Sequence, residues 1–281
     1  MVGGAVAWLQ EQAEAGRWDA RMALALARRF VVLEFFDRSL AIAAQMLVAF
    51  IPLVIALTSL IADDATLAEE VIRRLGLSGA SVELVRVLFD DDLLGEQSSG
   101  VGALSLLFLL VSLYLFGKRV RHLYERAYDL PSGSARQEWR SVSWVCLLGI
   151  FLVLASALRN FAYDQGMTMT VVVVVAIYGL LFLFMWWTPR FLLARRLTWQ
   201  HALPAGVISS VGLMLVAVWS VVWLPTIIMD NASRFGAIGI TFGIFTWLYA
   251  LSLALVSGAV VAGAVEDVRQ DRKPEIRTFP V

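Results

Sequence analysis

The chain has 281 residues, of which 59% are hydrophobic and 16% charged, and its 23 Lys and Arg balance its 23 Asp and Glu. A mean hydropathy of +0.75 excludes an ordinary soluble domain, whose apolar share is about 45–50%. With no net charge there is no bulk attraction to nucleic acid, so the placement of charge along the chain carries the information.

Met1 to Gly16 contains Glu11 and Glu14 and no continuous apolar run, which predicts no cleaved signal peptide and leaves the first span to act as the insertion signal. From Arg17 to Phe36, Arg17, Arg21, Arg28 and Arg29 interleave with Trp18, Met22, Leu26, Phe30 and Leu33. That pattern predicts an amphipathic helix in the membrane interface, with arginines towards anionic headgroups and apolar groups towards the acyl chains.

Six apolar stretches follow, at residues 39–62, 101–117, 142–158, 167–188, 203–229 and 237–265. A helix needs roughly 20 residues to cross the hydrocarbon core, and the second and third stretches reach that length by borrowing flanking residues. Runs such as Val171 to Val175 do not alternate apolar and polar, which excludes a β-barrel. The expected fold is therefore all-α: six transmembrane helices over 39–265, a cytoplasmic segment 1–38 with the interfacial helix, and a cytoplasmic tail 266–281.

Within the first span, Gln45 lies roughly 10 Å below the surface, where an amide needs a partner. It either bonds a neighbouring helix or lines a cavity. Pro52 removes a backbone donor and frees the carbonyl of Val48, so a bend is expected there, as packing or as a hinge. Gln45 and Pro52 are thus the candidate pathway and hinge residues.

Between the first two spans, residues 63–100 are strongly acidic, and Leu67, Val71, Ile72 and Leu75, then Val82, Val85 and Leu88, recur at helical spacing. An extracytoplasmic helical hairpin is expected, as a connector or as a lid. Lys118, Arg119, Arg121 and Arg126 extend the second span, and Arg195 and Arg196 sit in a later loop of the same side. These six are candidate contacts for anionic headgroups, beside their simpler role as orientation charge.

Cys146 lies alone inside the third span and reads as packing. Pro225 falls near the outer end of the fifth span, and Asp230 and Arg234 fall between the fifth and sixth. Gly239 with Gly243, and Gly258 with Ala262, place small residues four apart on the sixth span, so a helix of this chain or of a second copy can approach closely. Lys and Arg number 18 on the loops of one side and 5 on the other, which puts both termini in the cytoplasm.

No Lys, Arg, Asp, Glu or His falls in the central part of a span, so a buried proton relay or voltage sensor is not expected. Phosphate-binding glycine loops are missing from the sequence, and His122 and His201 are the only histidines. Neither a resident cofactor nor a metal is expected, and phosphodiester hydrolysis has no ligand cluster to run on.

Three segments carry a specific resemblance: Phe36 to Leu57 (FDRSLAIAAQMLVAFIPLVIAL), the helix that runs into KRVRHLYERAYD ending at Asp129, and Pro189 to Gly258 with PRFLLARRLTWQHALPAG and RFGAIGITFGIFTWLYALSLALVSGA. Together they resemble the YihY/BrkB family of bacterial inner-membrane proteins, once labelled ribonuclease BN, over about residues 30–266. The chain departs from that pattern at Gln45 and Met46, where relatives commonly carry tyrosines, and at Val260 and Ala262, where they carry an acid and an asparagine.

The resemblance implies a bacterial inner-membrane location. It fits a non-enzymatic transporter or flippase-like protein for an amphipathic or lipidic envelope component. The alternative is a membrane scaffold whose small-residue faces bind partner helices. Membrane lipids are the expected partners, a homo-oligomer stays open, and nucleic acid is not expected.

Overall fold

Helix α1, Trp18–Val32, forms because Ala20, Leu24 and Ala25 recur on one face, and all three are buried. It stops at a turn in which Glu34 takes a left-handed φ of 48°. The computed structural model describes residues 18–61, 98–131, 133, 137–163 and 165–270. The acidic hairpin expected over 63–100 lies outside the described residues apart from its last three, which already belong to a helix.

After the turn come α2, Phe35–Ile61, and α3, Ser98–Ala127. Then follow α4, Glu138–Tyr163, and α5, Met167–Leu192. Two long helices complete the chain: α6, Trp199–Gly236, and α7, Ile238–Arg269. No strand occurs among the described residues. Four helices there, α4 to α7, are long and apolar enough to cross a membrane.

The expected loop between the fifth and sixth spans is missing, because α6 stays helical through Pro225, Asp230 and Arg234 up to Gly236. Gly236 alone breaks the helix, with φ 59° and ψ −138°, a region that costs a side-chain-bearing residue 1–3 kcal/mol or so. Backbone at Pro52 is likewise helical within α2.

Two compact units emerge. The first draws on Met1–Ser39, Gly117–Leu213 and Leu253–Val281, the second on Leu40–Phe116 and Met214–Ser252. In the first unit, α4 and α5 pair, and buried Trp144 donates its indole N–H to Thr188 Oγ1 at 2.9 Å while Thr188 donates to the carbonyl of Phe184. The same unit packs the start of α6 against the end of α7. Gly212 abuts Ala254, and a Cβ on Gly258 would stand 2.8 Å from the carbonyl oxygen of Ala205.

In the second unit, Trp247 donates to Ser220 Oγ at 2.7 Å, and Gly243 packs against Ile228. The small-residue face of α7 is therefore met by α6 of the same chain at Gly243 and Gly258, and Gly239 and Ala262 are buried as well. In the apolar window of α7, 61% of the residues are buried, against 6% in that of α5.

Candidate functional site

Several charged residues of the first unit gather where α1, the end of α3, the start of α6 and the end of α7 meet. At their centre is Arg29, only 2% exposed although it belongs to an arginine-rich helix. It follows Ala25 by four residues on the buried face of α1, and Leu33, four residues further on in the turn after the helix, is buried too. The sequence reading aimed it at headgroups; the fold turns it inward.

All five guanidinium N–H donors of Arg29 are used. Nε and Nη2 donate to the two carboxylate oxygens of Asp267 at 2.6 and 2.5 Å. Nη2 and Nη1 donate to those of Asp129 at 2.6 and 3.2 Å, and Nη1 also reaches the carbonyl of Arg126 at 3.4 Å. Two bidentate pairs on one guanidinium fix geometry as well as charge. Burial alone would lower the Arg29 pKa; the bonds to Asp267 and Asp129 outweigh it, and the value is raised.

A second pair adjoins the first. Arg121 donates Nε to Glu125 Oε1 at 2.8 Å, and both side chains are 4% exposed. The backbone N–H of Gly133 and the ring of His122 bring further bonds to the same carboxylate, at 2.9 and 2.8 Å. Burial by itself would raise the Glu125 pKa, but the Gly133 N–H and the Arg121 guanidinium outweigh it and hold it low. A third pair joins α6 to α7: His201 Nδ1 lies 2.6 Å from Glu266 Oε2, and Gln270 bonds the other oxygen of Glu266. Tyr128 donates its hydroxyl to the carbonyl of His201 at 2.8 Å.

The depressed Glu125 pKa has a testable sign. Its contribution to stability is complete above the ordinary glutamate value of 4.5 and is lost as pH falls through the lower folded value. Thermal unfolding in detergent across pH 3–6 should show the Glu125→Gln variant flatter than wild type at the acid end, by roughly one proton's linkage. Parallel curves would show that Glu125 titrates alike in folded and unfolded protein.

Of the six basic candidates, Arg121 is enclosed and paired, so it does not face headgroups in this conformation. Lys118 Nζ lies 3.6 Å from Glu138, and Arg196 donates to the carbonyl of Pro131 at 3.1 Å. Arg119, Arg126, Arg195 and Arg196 are exposed. Arg38 sits close enough to Arg126 that burial and this like charge both lower its pKa, and its Nε is buried with no hydrogen-bond partner. Gln45, in the second unit, donates its amide to the carbonyl of Ser112 on α3 at 3.4 Å. Among the described residues, no three His, Cys, Asp or Glu side chains are placed to hold a metal ion.

Sequence reasoning missed Asp129, Asp267, Glu125 and Glu266, and it named Arg29 and His201 without their partners. For Arg29 the signal was its position midway along an apolar face, and for Glu125 its i,i+4 spacing from Arg121. Four helices long and apolar enough to cross a membrane, among the described residues, fit an integral membrane protein. A family model described as virulence factor BrkB matches residues 26–279, and the chain belongs to that family. No curated protein and no solved structure matches it.

Proposed function

We propose that the chain is a six-span inner-membrane transporter, flippase-like rather than enzymatic, that moves an anionic amphipathic or lipidic envelope component. The Arg29 clamp acts as its latch at the cytoplasmic end. The observation that carries this reading is the clamp itself: one buried guanidinium ties α1 to α7 and to the turn after α3 through two carboxylates. Buried ion pairs repay their desolvation poorly as stabilising devices, and their best attested use is to fix or switch an arrangement. Arg38 beside Arg126 supplies cationic density next to the latch, where an anionic headgroup would relieve like-charge repulsion.

The scaffold reading relied on small-residue faces being open to partner helices. Gly243 and Gly258 already meet α6 of the same chain, which leaves that reading less to stand on.

Topology follows from the 18 to 5 distribution of Lys and Arg. Cysteines introduced at Ser132 and Val281 should react only once the inner face is opened, and one at Ser98 in intact cells; the reverse pattern would invert the proposal. Transport is tested with proteoliposomes carrying a fluorescent anionic phospholipid and an outside quencher. Protein-dependent loss of inner-leaflet fluorescence is expected. Rates equal to those of empty liposomes, with variants differing only in stability, would favour a scaffold.

A further inference from the structure

A groove of about 770 Å³ runs along α5 between α4 and the first turn of α6. That volume lies inside the range of roughly 300–1,000 Å³ typical of ligand sites. Its walls are almost wholly apolar, formed by Phe151, Leu180, Leu183, Phe184, Trp187 and Trp199 among others. One end is cationic. Arg190 stands 4.7 Å over the ring of Trp199, and Arg140 stands 5.3 Å over Trp139 and 5.5 Å over Phe191. Each guanidinium also donates to a backbone carbonyl, Arg190 to Leu197 at 2.7 Å and Arg140 to Phe191 at 3.0 Å. A carbonyl orients the cation without neutralising it, and neither arginine has a carboxylate partner among the described residues.

The groove's length matches one leaflet. From Arg190 to Leu180 along α5, and from Arg140 to Phe151 along antiparallel α4, the helix rise is about 15 Å. Half of a hydrocarbon core is also about 15 Å. Two helices thus place a cation at one end and an apolar wall one acyl-chain length away, with tryptophans at the level where a headgroup meets the chains.

We propose that this groove binds an anionic diacyl phospholipid, its phosphate between Arg140 and Arg190 and one acyl chain along Leu183 and Phe151. A zwitterionic lipid brings the same phosphate together with an ammonium that offsets its charge, whereas an anionic lipid leaves its net negative charge for the two arginines, which is why an anionic occupant is favoured. The site is distinct from the latch and holds whether or not the protein moves lipid.

The test is lipid binding to the full-length protein in neutral detergent, followed by native mass spectrometry, with phosphatidylglycerol and phosphatidylcholine of identical chains as probes. Phosphatidylglycerol should bind roughly thirtyfold more tightly at low salt, the conversion of about 1 kcal/mol for each of the two arginines. The double variant Arg140→Gln, Arg190→Gln should lose that preference. Leu183→Trp, which keeps both arginines and fills the groove, should weaken both lipids at least fivefold or so. Inorganic phosphate alone should not displace the lipid. Equal binding of the two probes, displacement by phosphate, or a Leu183→Trp protein that binds phosphatidylglycerol like wild type would overturn the assignment. Because binding is read in detergent, its failure is separable from a failure of transport.

Discussion

Replacing Arg29 by methionine lowers stability by about 3–5 kcal/mol, because the variant keeps a buried carboxylate with no counter-charge. Asp267 is the side chain at stake, since it is 4% exposed whereas Asp129 is 42% exposed and can be solvated in place. Chemical unfolding in detergent reads the loss directly. Asp129→Asn should cost much less, within the 0–1 kcal/mol or so usual for exposed pairs. Pairing Arg29→Met with Asp267→Leu should recover most of the loss, since an apolar pair of similar volume often replaces a buried ion pair without cost. A loss below about 1 kcal/mol for Arg29→Met would mean that the pair is looser or wetter than its geometry says.

Gly258→Leu separates α6 from α7 and prevents the first unit from assembling. Even the single carbon of Gly258→Ala would meet Ser209 Oγ and stand 2.8 Å from the Ala205 carbonyl oxygen, so a loss of about 1–3 kcal/mol is expected there. The matched control is Gly149→Ala on α4, where nothing lies within 4 Å of the added carbon. That substitution should be neutral or stabilising by up to about 1 kcal/mol, the helix propensity difference. Melting temperatures of the two alanine variants in one detergent suffice. Equal melting temperatures would contradict the close approach at Gly258.

Helices were legible in the sequence because apolar length is a local property. Residues 142–158, 167–188, 203–229 and 237–265 all lie inside helices. The join between α6 and α7 was less legible: Asp230 and Arg234 read as polar residues between two spans, a loop salt bridge or a gate, yet they continue a helix whose break is conformational and falls on Gly236. Small residues on α7 announced a close neighbour without saying which, since spacing carries no information about the partner.

The charge clamp was mostly hidden for a different reason. Asp267 lies 238 positions from Arg29, and no local pattern links them. Basic residues near a membrane surface also read as orientation charge, which masked the inward direction of Arg29 and Arg121. Only their spacing against Ala25, Leu33 and Glu125 could have separated enclosed arginines from wet ones.

The latch is tested most directly by the rate at which labelled phosphatidylglycerol crosses proteoliposome membranes containing wild type or Asp267→Asn. Losing half of the double carboxylate grip on Arg29 should weaken the tie between α1 and α7, so under the latch proposal the variant should move lipid faster than wild type at equal protein content. An Asp267→Asn protein that is folded and incorporated but moves lipid at the wild-type rate would contradict a latch and leave the clamp a purely structural tie.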